Sequence, residues 1–277
     1  MERTMKRRAA AAAAAVTLLA GGGVLAGCGS STTDTAASTA AADAAAEPPN
    51  GVGTLPATEI LAKSQAAAKA ATSVTVKGTM TEGAEETSLD LVLGTNASRG
   101  TITTEGVELS TIFVDGKVYF KASGGGWATL LGNTGAEGKA AGEEIAGLVG
   151  DRWLLLPAEP GSLDDTGGVL GVTLTTLNAL FQKDSLVEGL LSLEGGATVK
   201  STGDVNGTPV VFLEDTKGES TLAIQTVGEP YPVQVKSGAA EGSGEISFTN
   251  WNAPVNVTAP TDVVNISTLA TAGAAKP

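Results

Sequence analysis

Thr111-Ile112-Phe113-Val114-Asp115-Gly116-Lys117-Val118-Tyr119-Phe120 is the stretch that decides the fold class. Two runs of β-branched and aromatic residues flank an Asp-Gly pair, and such residues favour a pleated, half-buried surface. A two-residue turn that matches the twist of its strands needs φ > 0 at both central positions, which Asp-Gly accepts. The stretch therefore predicts a tight antiparallel hairpin. The same period of two extends upstream. Val74, Val76 and Met80 alternate with Thr75, Lys77 and Thr79, while Leu89, Leu91 and Leu93 share a face opposite Asp90. Ile102, Val107 and Leu109 continue the pattern into the hairpin.

The pattern returns in the last third of the chain. Strands are expected at Ala197 to Lys200, Val210 to Leu213, Leu222 to Val227, Val233 to Lys236 and Ile246 to Phe248, with a turn at Asn206-Gly207. A Val255, Val257 pair follows before Pro260. Locally connected strands argue for one antiparallel sheet rather than βαβ units. A sheet of some ten strands should curl.

Helical spacing occurs in two places. After Pro56, a residue suited to a first helical turn, Ile60, Leu61, Ala67, Ala68 and Ala71 form a thin apolar stripe. In the middle, Thr173 precedes Leu174, Leu177, Leu180 and Phe181, and Ser185-Leu186-Val187-Glu188 has the form of a capping box. Leu190, Leu191 and Leu193 follow it, and Gly195-Gly196 should end that helix. These two Leu-rich helices are too apolar to face water on all sides and are expected to cover the concave face of the sheet. The stretch from Trp127 to Gly150 is broken by glycines and reads as weakly helical.

The first 53 residues are of another kind. Arg3, Lys6, Arg7 and Arg8 lead into an apolar run, then into Leu25-Ala26-Gly27-Cys28. That order is the order of a secretory signal peptide. Residues 29–53 hold Ser, Thr, Ala, Asp and Pro with almost no large apolar side chain, a composition that cannot bury enough surface to fold. A coil of about 25 residues has an end-to-end distance of roughly 25–30 Å. The expected organisation is a signal peptide at 1–27, a modified Cys28 with a tether to residue 53, a folded domain at 54–267 and a frayed tail at 268–277.

Composition removes several functions. The chain of 277 residues carries a formal charge of −13, more negative still without its basic leader, which makes it a poor partner for nucleic acid. It contains no histidine, the commonest general base and metal ligand. Its one cysteine leaves no intramolecular disulfide, so burial must hold the domain together. Gly132-Asn133-Thr134-Gly135-Ala136-Glu137-Gly138-Lys139 misses the phosphate-loop spacing, because Asn133 stands where the first glycine is needed. No catalytic residue, metal site or cofactor is expected.

Leu-Ala-Gly-Cys resembles a bacterial lipobox, in which a diacylglyceryl group is attached to the cysteine thiol and the chain is cut before it. With several acyl chains on Cys28, membrane attachment becomes effectively permanent, since each buried CH₂ adds about 0.8 kcal/mol. Together with the tether, the helix running into Ser73-Val74-Thr75-Val76, the hairpin followed by Trp127, and Phe248-Thr249-Asn250-Trp251 before Val255-x-Val257-x-x-Pro260, this resembles the actinobacterial lipoproteins of the LppX/LprG group, relatives of the carrier LolA. The resemblance implies a mainly β fold with covering helices: an unclosed antiparallel β half-barrel enclosing an apolar cavity for lipid or glycolipid. It implies a monomeric domain, lipid-anchored on the extracytoplasmic face of a cell membrane. The cavity residues to test are Leu177, Leu180, Phe181, Leu190 and Leu191 on the helices, with Leu91, Ile102, Leu109 and Val118 on the strands. A packed core and a dry pocket use the same side chains. Two function classes therefore compete, a lipid binder or carrier and a cargo-free sensor or interaction domain of the same fold.

Overall fold

The computed structural model describes residues 48–132, 135–156, 182–191, 193, 196–239 and 242–265. A 3₁₀ turn at Val52–Thr54 precedes helix α1 (Ala57–Ala70). Five strands follow: β1 (Ser73–Glu82), β2 (Glu85–Gly94), β3 (Ala97–Thr104), β4 (Val107–Val114) and β5 (Lys117–Ala122). Helices α2 (Trp127–Gly132) and α3 (Ala136–Val149) lead to β6 (Trp153–Leu156). Then come α4 (Lys183–Leu190), β7 (Ala197–Val205), β8 (Thr208–Asp215), β9 (Ser220–Gln225), β10 (Pro232–Ala239), β11 (Gly242–Thr249) and the short β12 (Val263–Asn265).

All twelve strands belong to one sheet, in the order β12-β6-β5-β4-β3-β2-β1-β11-β10-β9-β8-β7. Its two edge strands do not pair with each other, so this is an unclosed half-barrel. Three of its turns share one solution. Glu105-Gly106, Asp115-Gly116 and Asn206-Gly207 all have positive φ at both residues, from 52° to 87°, the geometry of type I′ turns. The Asp115-Gly116 hairpin predicted from sequence is formed, with Val114 opposite Lys117. One pair departs from the expected all-antiparallel pattern: β12 runs parallel to β6, with Val264 opposite Leu154. The Val255, Val257 pair lies outside any strand, and Val255 instead fits against Gly94.

Register places one face of the sheet inward throughout. Val264, Leu154, Phe120, Thr111, Gly100, Leu91, Val76 and Phe248 form a continuous cross-strand row. A second row runs Ala122, Leu109, Ile102, Leu89, Gly78, Ile246, Val235, Leu222 and Leu213. The apolar side chains of these rows and residues of the four described helices make the main core, and Val205, Val210 and Ala223 form a separate small cluster. Burying a Leu or Phe completely is worth about 1.5–3 kcal/mol. Leu91, Leu93, Phe120, Leu154 and Leu213 are all buried without remainder, as a domain with no disulfide requires.

The stretch after Trp127, read as weakly helical, forms two definite helices. Gly142 explains their close approach, because a Cβ there would stand 2.6 Å from the Cα of Ala128. Trp127 is itself buried in this layer. The capping box at Ser185 is not used. Helix α4 starts two residues earlier, at Lys183, with Gln182 as its cap residue. Of the two Leu-rich helices, the first, from Leu174 to Phe181, lies outside the described residues, as do the leader, Cys28, most of the tether and the tail.

Candidate ligand opening

Along β1 and β11 the inward row changes character toward one end of the sheet. Phe248 and Ile246 are buried, but the next two inward positions on β11 are Gly244 and Gly242, which carry no side chain. Across the ladder, Gly244 faces Met80 on β1 and Ser237 on β10, and Met80 in turn faces Thr87 on β2. The sheet is thus hollowed where two alternate positions of one strand are empty. A cavity of about 350 Å³ occupies the hollow, within the range of small-molecule sites. Its walls include Met80, Val235, Ile246 and, from helix α4, Leu190. Met80 is 38 % exposed, one of few large apolar side chains left so open among the described residues.

The lining is graded. Ile246 and Val235 lie deepest, next to the core. Thr87, Met80 and Ser237 form the next level, and Glu82 and Glu85 stand opposite each other at the rim. Inward side chains repeat every two residues, or about 7 Å along a strand. Apolar floor and carboxylate rim are therefore about 13 Å apart, four residues along β1.

Helix α4, one wall of the opening, is fastened to α1. The Lys183 side chain is 4 % exposed, and its ammonium donates to the carbonyl oxygens of Ala68 (3.1 Å) and Lys69 (3.3 Å) in the last turn of α1, while pairing with Asp184 at 2.6 Å. A positive charge at a helix C-terminus also meets the negative end of its dipole. On the other side of α4, a second hollow of about 370 Å³ lies between it and α1 and includes Leu191 and Val187. It is bordered by Lys69, Asp184 and Glu188, so its lining mixes charged and apolar groups. A third, of about 420 Å³, includes Thr72, Thr95, Asn96 and Asn252 near the other end of β1.

The predicted cavity residues divide into three groups. Leu91, Ile102, Leu109 and Val118 do face inward, but each is at most 5 % exposed and packed into the core. Leu190 is half-buried and reaches the opening, whereas Leu191 has no exposed surface. Leu177, Leu180 and Phe181 lie outside the described residues. Sequence reading missed Gly242, Gly244 and Val235 as site residues. The signal was the series Gly242-x-Gly244-x-Ile246-x-Phe248, in which two absent side chains extend one apolar face. Of the tryptophans, Trp251 stacks on Tyr231 at 4.7 Å and donates its indole N–H to the Pro232 carbonyl (3.2 Å), a packing role.

Among the described residues no helix is long and apolar enough to cross a membrane, and no three acidic, cysteine or histidine side chains gather as a metal site. Asp215 is the one described carboxyl with a clear shift. Its burial would raise its pKa, but the backbone N–H groups of Glu219, Ser220, Gly218 and Lys217 outweigh that and lower it, which marks a turn anchor.

No protein-family model matches the chain, and no curated protein matches it. Similar solved structures exist. They include LprF from Mycobacterium bovis, at 15% identity and a TM-score of 0.45, covering 74% of this chain and 96% of that one. The Mycobacterium tuberculosis lipoprotein LppX is 18% identical with a TM-score of 0.42, covering 73% and 99%. A LolA superfamily protein from Nitrosomonas europaea is 7% identical with a TM-score of 0.27, covering 73% and 96%.

Proposed function

We propose that this chain is an exported lipoprotein that binds a hydrophobic ligand, a lipid or glycolipid, at the open end of its half-barrel. Lipid on Cys28 holds it at the extracytoplasmic face of a cell membrane, and the tether lets the domain reach outward. The observation that carries the ligand reading is the hollow at Gly242 and Gly244, floored by Ile246 and Val235 and walled by Met80 and Leu190. An exposed apolar concavity is what an acyl chain seeks, because burying apolar surface yields about 25 cal/mol per Å².

The test is native mass spectrometry of the mature chain purified from its own host. Co-purifying lipid at near-unit stoichiometry is expected. A mass equal to that of the acylated polypeptide alone, in every preparation, would leave the cargo-free sensor or interaction domain as the better account. The anchor is tested separately. Cys28→Ala should release the protein from membranes or leave an uncleaved precursor, and a processed variant that still sediments with membranes would exclude a Cys28 anchor.

A further inference from the structure

The rim of the opening carries information about the ligand's head. Glu82 and Glu85 end strands β1 and β2 on the inward side and face each other across the Gly83-Ala84 turn. Like charges directly opposite on a sheet destabilise it. Among the described residues neither carboxylate has a cationic partner in an ion pair. Lys77 of β1 and Lys236 of β10 do not relieve the pair, because they occupy the other face. Lys77 pairs there with Asp90 at 2.8 Å, and Lys236 with Glu245 at 3.1 Å. These two lysines are therefore held on the outer face by their own partners, while the Glu82 and Glu85 carboxylates border the cavity. Ser237, whose hydroxyl donates to the Gly242 carbonyl at 3.1 Å, and Thr87 add to the polar lining.

We infer that the opening selects an amphiphile with a positively charged, amine-bearing head, and disfavours phosphate or carboxylate heads. The inference rests on the opening being a ligand site. The apolar part of the ligand occupies the floor at Ile246 and Val235. Its ammonium sits between Glu82 and Glu85, about 13 Å along the strand direction, and turns a repulsive pair into a clamp.

Three single-chain probes separate this inference from the reading beneath it: sphingosine, a monoacylglycerol and a lysophosphatidic acid, each titrated onto the full mature chain. Sphingosine is expected to bind about tenfold tighter than the monoacylglycerol, and the lysophosphatidic acid about tenfold weaker, with both gaps shrinking as salt screens the rim. Glu82 and Glu85 are exposed, so Glu82→Gln with Glu85→Gln should fold normally. It should bring the affinities of the three probes together, abolishing the preference. Equal affinity for all three probes, or a preference that survives the double substitution, overturns the charge selection and leaves hydrophobic binding standing. Failure of all three to bind overturns both.

Discussion

Gly78 shows how one residue without a side chain shapes this sheet. It lies on the inward face of β1, where a Cβ would stand 2.7 Å from the Cα of Ile246 and closer still to the Glu245 carbonyl oxygen. Gly100, on β3, meets the same limit, with the Cα of Leu91 at 2.8 Å. Strand glycines of this kind allow the close backbone approach that a curling sheet needs. Gly78→Ala should therefore cost about 1–3 kcal/mol in a denaturant titration. Gly147→Ala supplies the opposite sign, since it sits inside α3 with nothing within 4 Å of the added Cβ, and should gain about 0.5–1 kcal/mol. Equal effects at the two sites would contradict the curvature argument. Sequence reading sees such glycines only as interruptions of an alternating pattern. Whether a glycine marks a bend, a hollow or a mere surface gap depends on the neighbouring strand, which no local window contains.

At the level of elements, Lys183 fastens α4 onto the end of α1, and through Leu190 it sets one wall of the opening. Lys183→Met keeps the apolar stem and removes the donors, leaving two helix-end carbonyls short of a partner. A loss of about 1–3 kcal/mol is expected in the same titration. An unchanged midpoint would mean that α4 is held by its leucines alone. This contact was not legible beforehand. Ser185 and Glu188 have capping-box spacing, yet the helix begins at Lys183, whose side chain is captured by a helix more than a hundred residues earlier. Long-range capture overrode a local signal. The strands were far more legible, because Asp115-Gly116 and Asn206-Gly207 fix hairpins through φ values that few residue pairs accept. Strand β12 escaped notice, since three residues paired in parallel with β6 carry no period of their own.

For the molecule as a whole, alternation in the sequence identifies the inward face, and register joins those positions into cross-strand rows around the main core. Alternation does not say where that face is filled and where it is open. Leu91, Ile102, Leu109 and Val118 have the pattern of cavity residues and are buried in the core, while the described opening lies where Gly242 and Gly244 leave the sheet bare. Filling it is the most direct test of the account. A Cβ on Gly242 would meet only the Thr81 carbonyl oxygen, at an ordinary 3.6 Å, so Gly242→Leu should project into the hollow without straining the backbone. Lipid occupancy by native mass spectrometry and thermal midpoint should be measured on the same purified sample, beside the unaltered chain. The account predicts that occupancy falls several-fold while the ligand-free midpoint is retained. Full lipid occupancy in a stably folded Gly242→Leu chain would contradict it.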